Sequence, residues 1–217
     1  MVFGHSLNEL WVGAHDRADR VLALAGAAEA RLSPEGFLLV VEPALLATSR
    51  DALALRDGLA AAGWSVFAPC PGRSRLPCPA LAAGPAHTCH DELRWETPET
   101  VRILARRTGL DKDSLKAAWF LARPPSAPAS LPRSAYPEDA FRVVSDPLLN
   151  KAGRVRYLLC GSTGRFPFSA AAGDPRSGKT GFSYLRRGDV IRVEHPEIRE
   201  SGWGLGPSTR IEILPWG

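Results

Sequence analysis

Long hydrophobic runs and abundant cysteine are both missing from this sequence of 217 residues. Even its longest apolar runs, such as residues 37–41, are far shorter than the roughly 20 residues of a membrane helix. The first 20 residues carry charged and histidine side chains, so we expect no secretory signal there. The composition, 45% hydrophobic and 23% charged, excludes wholesale disorder.

Only four cysteines are present, without a signal peptide, which favours a cytoplasmic chain whose cysteines bind metal rather than form disulfides. The net charge of +4 is a mild basic excess. It permits a nucleic-acid partner without establishing one.

A glycine-rich turn after the first strand is also missing. The pattern predicts strands near residues 1–5, 36–41 and 64–68, separated by helices over 17–31 and 48–62. This order predicts a parallel α/β sheet. Such a sheet normally carries a GxGxxG turn, and none follows these strands. We infer that the chain is a fragment or that another polypeptide supplies the missing half.

The second part of the sequence is predicted to be rich in β-structure. Two helices, over 99–107 and 112–121, precede a proline-rich segment at 123–128. Antiparallel strands are predicted over 141–144 and 154–160, and short strands over 189–194 and 210–214. We therefore expect an α/β domain over 1–165 and a small β-rich module over 166–217.

The cysteines carry the strongest signal for function. Cys70, Cys78 and Cys89 lie in or just after a loop with five prolines at 69–85, and Cys160 ends a predicted strand. Four thiolates satisfy one iron–sulfur cluster or one zinc ion. The wide spacing differs from a zinc ribbon and better suits a bulky cluster. Unpaired thiols without a metal are the alternative, and zinc stays open from spacing alone.

A series of short motifs in a fixed order resembles the Rsm22-like family of small-ribosomal-subunit methyltransferase-like proteins. The resemblance covers about residues 1–165. The motifs are SLNEL at 6–10, VEP at 41–43, Arg56-Asp57, VFAPCP at 66–71, Cys78-Pro79, Cys89-His90, LRW at 93–95, ILARRTGL at 103–110 and SLK at 114–116.

This resemblance implies a class I S-adenosylmethionine (SAM) methyltransferase-like fold, of which the chain holds the C-terminal, Rossmann-type half. It also implies a [4Fe–4S] cluster and a role in assembly of, or translation on, the small ribosomal subunit. The cluster ligands carried over by position are Cys70, Cys78, Cys89 and Cys160. His90 is a candidate second-shell donor, or a ligand if the metal is zinc.

The sequence departs from the family because the SAM-binding half is not in it. We expect that the chain alone neither binds SAM tightly nor acts as a methyltransferase, which isothermal titration with SAM tests. If a separate polypeptide supplies that half, Asn8, Glu9 and Glu42 are weak cofactor-binding candidates at strand ends. Their alternative role is helix capping and turn chemistry. An RNA methyltransferase, whole or split, is thus the alternative function.

Two further patterns bear on phosphate binding. Residues 173–180 match the P-loop pattern, with Lys179 and Thr180 as candidate phosphate and Mg²⁺ contacts, but the surrounding βαβ context is lacking. A nucleotide-binding protein is therefore a distant alternative. Basic residues are candidates for an rRNA surface, although a solvated face explains them equally well. These are Arg102, Arg106, Arg107, Arg154, Arg156, Arg186, Arg187 and Arg192.

Overall fold

The computed structural model describes residues 1–71, 77–110 and 112–215. These form a mixed α/β unit followed by a curled, β-rich half-barrel. No helix in the described ranges has the length and apolar character needed to cross a membrane.

The α/β unit is built on a five-stranded sheet with the path β1-β2-β5-β3, and β4 pairs with β5. The strands are β1 Val2–Gly4, β2 Leu38–Pro43, β3 Ser65–Ala68, β4 Asp91–Arg94 and β5 Ser114–Arg123. The helices are α1 Arg17–Ala27, α2 Leu46–Ala61, α3 Pro79–Ala82 and α4 Glu99–Thr108, and 3-10 turns cover Leu7–Glu9 and Ala28–Arg31.

The predicted order of the first elements is confirmed, but the sheet is only partly parallel. Strands β1 and β2 are parallel, whereas β5 runs antiparallel between β2 and β3. Burial alternates along β2, so that Leu38, Val40 and Glu42 lie against the helices' side of the core. The core of this unit joins Leu38 and Val40 to apolar residues of α1, α2 and β5.

The helix predicted over 112–121 is wrong, because residues 114–123 form the long strand β5. Asp111, at the predicted turn before it, lies outside the described residues. Strand β5 pairs with β2, β3 and β4, and burial alternates along its second half. Three strand partners brought from distant parts of the sequence override the local preference for helix. The neighbouring helix α4 forms as predicted. It is capped at its C-terminus by Gly109, which adopts the left-handed conformation with a φ of +66°.

The half-barrel follows the strand path β11-β12-β9-β8-β6-β10-β13, and β7 pairs with β8. Its strands are β6 Phe141–Val143, β7 Leu148–Leu149, β8 Arg154–Gly161, β9 Gly164–Ala171, β10 Val190–Glu194, β11 Glu197–Arg199, β12 Gly202–Gly204 and β13 Arg210–Leu214. The helix α5 Pro175–Lys179 and a 3-10 turn at Phe182–Tyr184 connect β9 to β10.

The predicted antiparallel pairing of strands near 141–144 and 154–160 is confirmed by β6 and β8. The expected boundary between residues 165 and 166 falls inside β9. The second sheet begins at β6, so Cys160 belongs to the half-barrel. Its core is aromatic, with edge-to-face contacts of Phe182 with Tyr157 and Phe168.

Candidate metal centre

The four cysteines, which lie far apart in the sequence, line one cavity of about 50 Å³. Cys70 follows β3, Cys78 is the N-terminal cap of α3, and Cys89 lies just before β4. Cys160 comes from β8 of the half-barrel. All four thiols are free. The cavity therefore joins three sulfurs of the α/β unit to one sulfur of the β-rich unit.

The cysteines surround a space rather than meeting at a point. Among residues 1–71, 77–110 and 112–215, no three His, Cys, Asp or Glu side chains form a group arranged to hold one metal ion. One water-sized atom needs roughly 10–15 Å³ of cavity measured in this way. The cavity of about 50 Å³ that the four cysteines help to line thus has room for several atoms.

Three arginines line the same cavity, a feature that the sequence-based reasoning did not single out. Arg56 of α2 and Arg142 of β6 are 2% and 3% exposed, and Arg165 of β9 is half-buried. Arg142 donates a hydrogen bond to Cys89 Sγ at 3.6 Å, and Arg165 donates to the carbonyl of Thr88 at 3.5 Å. Buried guanidinium groups require anionic partners, because an isolated buried charge is costly.

Two carboxylates hold two of these arginines. Asp57 pairs with Arg56 and accepts the backbone N–H of Cys78 at 2.7 Å. Asp91 pairs with Arg142 and accepts the indole N–H of Trp119 at 2.5 Å. Among the described residues, three guanidinium groups against two carboxylates leave one positive charge in excess at the cavity. The local charge therefore favours an anionic occupant or ionised thiols.

The thiols respond to both burial and this positive charge. Desolvation raises the pKa of Cys78, Cys89 and Cys160. Arg56 opposes the rise in the pKa of Cys78, and Arg142 opposes it at Cys89. A metal must therefore displace protons from these thiols, and the arginines reduce the cost of that displacement.

His90 also lines the cavity, next to Cys89. Its Nδ1 is buried and has no hydrogen-bond partner among the residues that the structure describes. Desolvation lowers the pKa of its imidazole, so the neutral ring is favoured. His90 thus lies where both of its expected roles place it, as a donor beside the centre or as a ligand.

The three weak cofactor-binding candidates separate in the structure. Asn8 and Glu42 line a second cavity of about 140 Å³, bounded by α1, α2, β2 and the 3-10 turn at Leu7–Glu9. Glu9 is exposed on the 3-10 turn and accepts a hydrogen bond from the Asn8 side chain at 3.1 Å. Two of the three residues are therefore brought to one site.

The P-loop-like segment takes another form. Strand β9 precedes it, but β9 is antiparallel to β8. The helix α5 lies within the segment and has five residues. The Asp174 side chain accepts the backbone N–H of Arg176 at 2.9 Å. A carboxylate already occupies the helix start, so this geometry does not favour a bound phosphate.

The basic candidates fall into paired and open groups. Arg102 and Arg106 pair with Glu99, Arg187 with Asp146, and Arg192 with Asp139 and Glu212. Exposed Arg156 and half-buried Arg154 line an open groove of about 490 Å³ on the half-barrel, which also contains the ion pair of Arg199 with Glu197. Arg107 and Arg186 are exposed.

Comparisons with family models and with curated proteins found no match to this chain.

One sequence signal could have identified the arginines at the cavity. Arg56 lies among the apolar residues of α2, and Arg142 stands between Phe141 and Val143 in a predicted buried strand. An arginine inside such a run indicates a buried ion pair or a site. The sequence does not show that both arginines belong to the same cavity as the cysteines.

Proposed function

We propose that this chain is an iron–sulfur protein that associates with RNA of the small ribosomal subunit and acts in its assembly or in translation. The observation that carries the proposal is the single cavity lined by all four cysteines and by three arginines. The resemblance of the sequence to the Rsm22-like family supplies the ribosomal part. In this proposal the chain is methyltransferase-like and not catalytic by itself.

The cavity favours a cluster over zinc for two reasons. Four thiolates around zinc approach the ion to about 2.3 Å, which leaves no open space between them. Here the four cysteines border room for several atoms. A [4Fe–4S] centre with four thiolates carries a net negative charge at its usual oxidation level, which balances the excess positive charge of Arg56, Arg142 and Arg165.

The centre would act as a structural link. Cys70, Cys78 and Cys89 would hold it from the α/β unit, and Cys160 would hold it from the half-barrel. The free energy of binding such a centre becomes folding free energy, since the ligands come together only in the folded chain. Free thiols at all four ligands fit a reducing compartment, so we place the protein in the cytoplasm.

The methyltransferase-like part of the proposal rests on the parallel strands β1 and β2 with their helices α1 and α2. Parallel strands joined by helices are what the proposal requires of one half of a Rossmann-type sheet. SAM enters the proposal only through a second polypeptide that supplies the glycine-rich half. RNA binding is assigned to the groove of Arg154 and Arg156, where cations would contact backbone phosphates.

Iron and acid-labile sulfide in the anaerobically purified chain, together with its visible spectrum, test the cluster. We expect about four irons per chain if one cubane is bound. Both Cys78→Ser and Cys160→Ser are expected to lose most of the iron and to make the segment around Cys78 sensitive to protease. Leu149→Ser, at an exposed site, is the matched control. Zinc in place of iron, or unchanged iron in both cysteine variants, would refute the cluster.

Binding of a small-subunit rRNA fragment at several salt concentrations tests the RNA-binding part of the proposal. Arg156→Gln should weaken binding and reduce the slope of log affinity against log salt by somewhat under one, as for a lost phosphate contact. Arg192→Gln, whose native side chain is already paired with two acids, should leave the slope unchanged. Equal effects of the two variants would count against the groove.

A further inference from the structure

The second cavity is lined by apolar side chains and by acidic residues that include Glu42. It lies between α1, α2 and β2 and has a volume of about 140 Å³. Val21 and Leu22 of α1, Val40 of β2 and Leu55 of α2 supply much of the wall. Because α1 and α2 pack on the same side of β2 without filling this space, the chain pre-forms a site for a small ligand.

The carboxyl group of Glu42 is the feature that points to a ligand. Glu42 is 2% exposed and lines the cavity. Its Oε1 accepts the backbone N–H of Leu7 at 3.0 Å, and the backbone N–H groups of Asn8 and Ser6 also face the carboxyl and favour its charged form. Its Oε2 is buried and has no hydrogen-bond partner within the described part of the chain, and the same holds for Asn8 Oδ1. Two unsatisfied acceptors beside one cavity call for a donor, since such atoms are costly to bury alone.

The charged residues around the cavity indicate whether the ligand that carries this donor is a cation or an anion. Arg17 is engaged by Asp51 at 2.6 Å and by the carbonyls of Leu7 and Leu10. Asp19 and Glu42 remain as the other charged residues on the lining. The cavity therefore carries an excess of negative charge, in contrast to the cysteine-lined cavity.

We propose that this cavity binds a small organic cation, with an apolar body between α1 and α2 and an amidinium or protonated amine directed at Glu42 Oε2. The Asn8 amide oxygen accepts a second N–H of the same head group. The mouth lies beside exposed Ala54 and Asp51, through which the ligand enters. This inference does not depend on the cluster or on RNA binding.

Benzamidine is the probe, because it joins a flat apolar ring to an amidinium group. Benzoate is the matched ligand, with the same shape and the opposite charge. We expect benzamidine to shift the amide resonances of residues 7–8 and 40–55 at millimolar concentration, and benzoate to leave them unchanged. Glu42→Gln keeps the Oε1 acceptor for Leu7 and should weaken benzamidine about tenfold or more, as for loss of a charged hydrogen bond.

Ala54→Leu provides a second test at an exposed position, because the larger side chain narrows the mouth without entering the core. It should reduce benzamidine binding, whereas Ala61→Leu at the exposed end of α2 should not. The proposal is overturned if benzamidine leaves the cavity resonances unchanged, if benzoate binds as well, or if Glu42→Gln binds benzamidine with unaltered affinity. The two probes on the native chain decide the matter even if a variant fails to fold.

Discussion

The two cavities share one wall, the helix α2, and differ in almost everything else. Leu53 and Arg56 face the cysteine-lined cavity, whereas Asp51, Ala52 and Leu55 face the other. The first cavity lies between two units and is surrounded by cations. The second lies within one unit and is acidic. The comparison teaches that the sign of the buried charge, rather than cavity size, indicates what each space is built to hold.

The arginines at the two cavities, Arg142 and Arg17, also make different contacts. At the cysteine-lined cavity, Arg142 is almost fully buried and joins β6 of the half-barrel to Asp91 of the α/β unit. At the acidic cavity, Arg17 is partly exposed and ties α1 to the loop after β1. Replacing Arg142 tests a buried link between the two units, and replacing Arg17 tests a partly exposed link within one unit.

The largest effect is expected from Arg142→Met. It leaves Asp91 without its partner and removes the hydrogen bond to Cys89, so we expect a loss of about 3 kcal/mol in the free energy of unfolding. Urea unfolding measures it. The double variant Arg142→Met/Asp91→Asn should recover part of that stability.

The control is Arg192→Met, which breaks exposed ion pairs on β10 of the same half-barrel. It should cost less than about 1 kcal/mol. Similar losses in the two variants would show that Arg142 is not a buried link.

An intermediate effect is expected from Arg17→Met. Arg17 donates to the carbonyls of Leu7 and Leu10 at 2.9 Å each. Loss of these charged donors should cost about 1–2 kcal/mol, measured in the same urea titration. Arg20→Met, which breaks only the exposed pair with Asp16, should cost no more than about 0.5 kcal/mol. A loss from Arg20→Met as large as that from Arg17→Met would remove the distinction.

The smallest effect is a pH dependence at Glu42. Desolvation raises the pKa of this carboxyl above its ordinary 4.5. The folded chain then holds the proton more tightly than the unfolded chain, so stability falls as the pH rises from 4.5 through the raised pKa. The unfolding temperature of Glu42→Gln relative to the native chain should therefore rise across this window. A constant difference would mean that the pKa of Glu42 is the same in both states.

Much of the fold follows from local pattern. The helical spacing of Val21 and Ala25, and the glycine that ends α4, are properties of neighbouring residues, and those helices formed where expected. Strand β5 could not be predicted in this way. Its state is set by pairing with β2, β3 and β4, which lie about 20 to 80 residues away.

The candidate site likewise has a part that the local sequence predicts and a part that depends on tertiary packing. The cysteines are recognisable as candidate metal ligands from their type and number alone. Their common cavity, and the arginines around it, depend on how the half-barrel packs on the α/β unit. Residues 72–76, within the predicted loop between Cys70 and Cys78, lie outside the described part of the chain.

The position of α2 has a mechanical consequence. Because α2 borders both spaces, a displacement of the whole helix would alter both of them. If the contents of one space draw the helix inwards, the width of the other changes, and the influence must be equal in both directions when expressed as binding free energy. Loading of the inorganic centre and capture of a small cation would then be thermodynamically linked events, although no atom is shared between them.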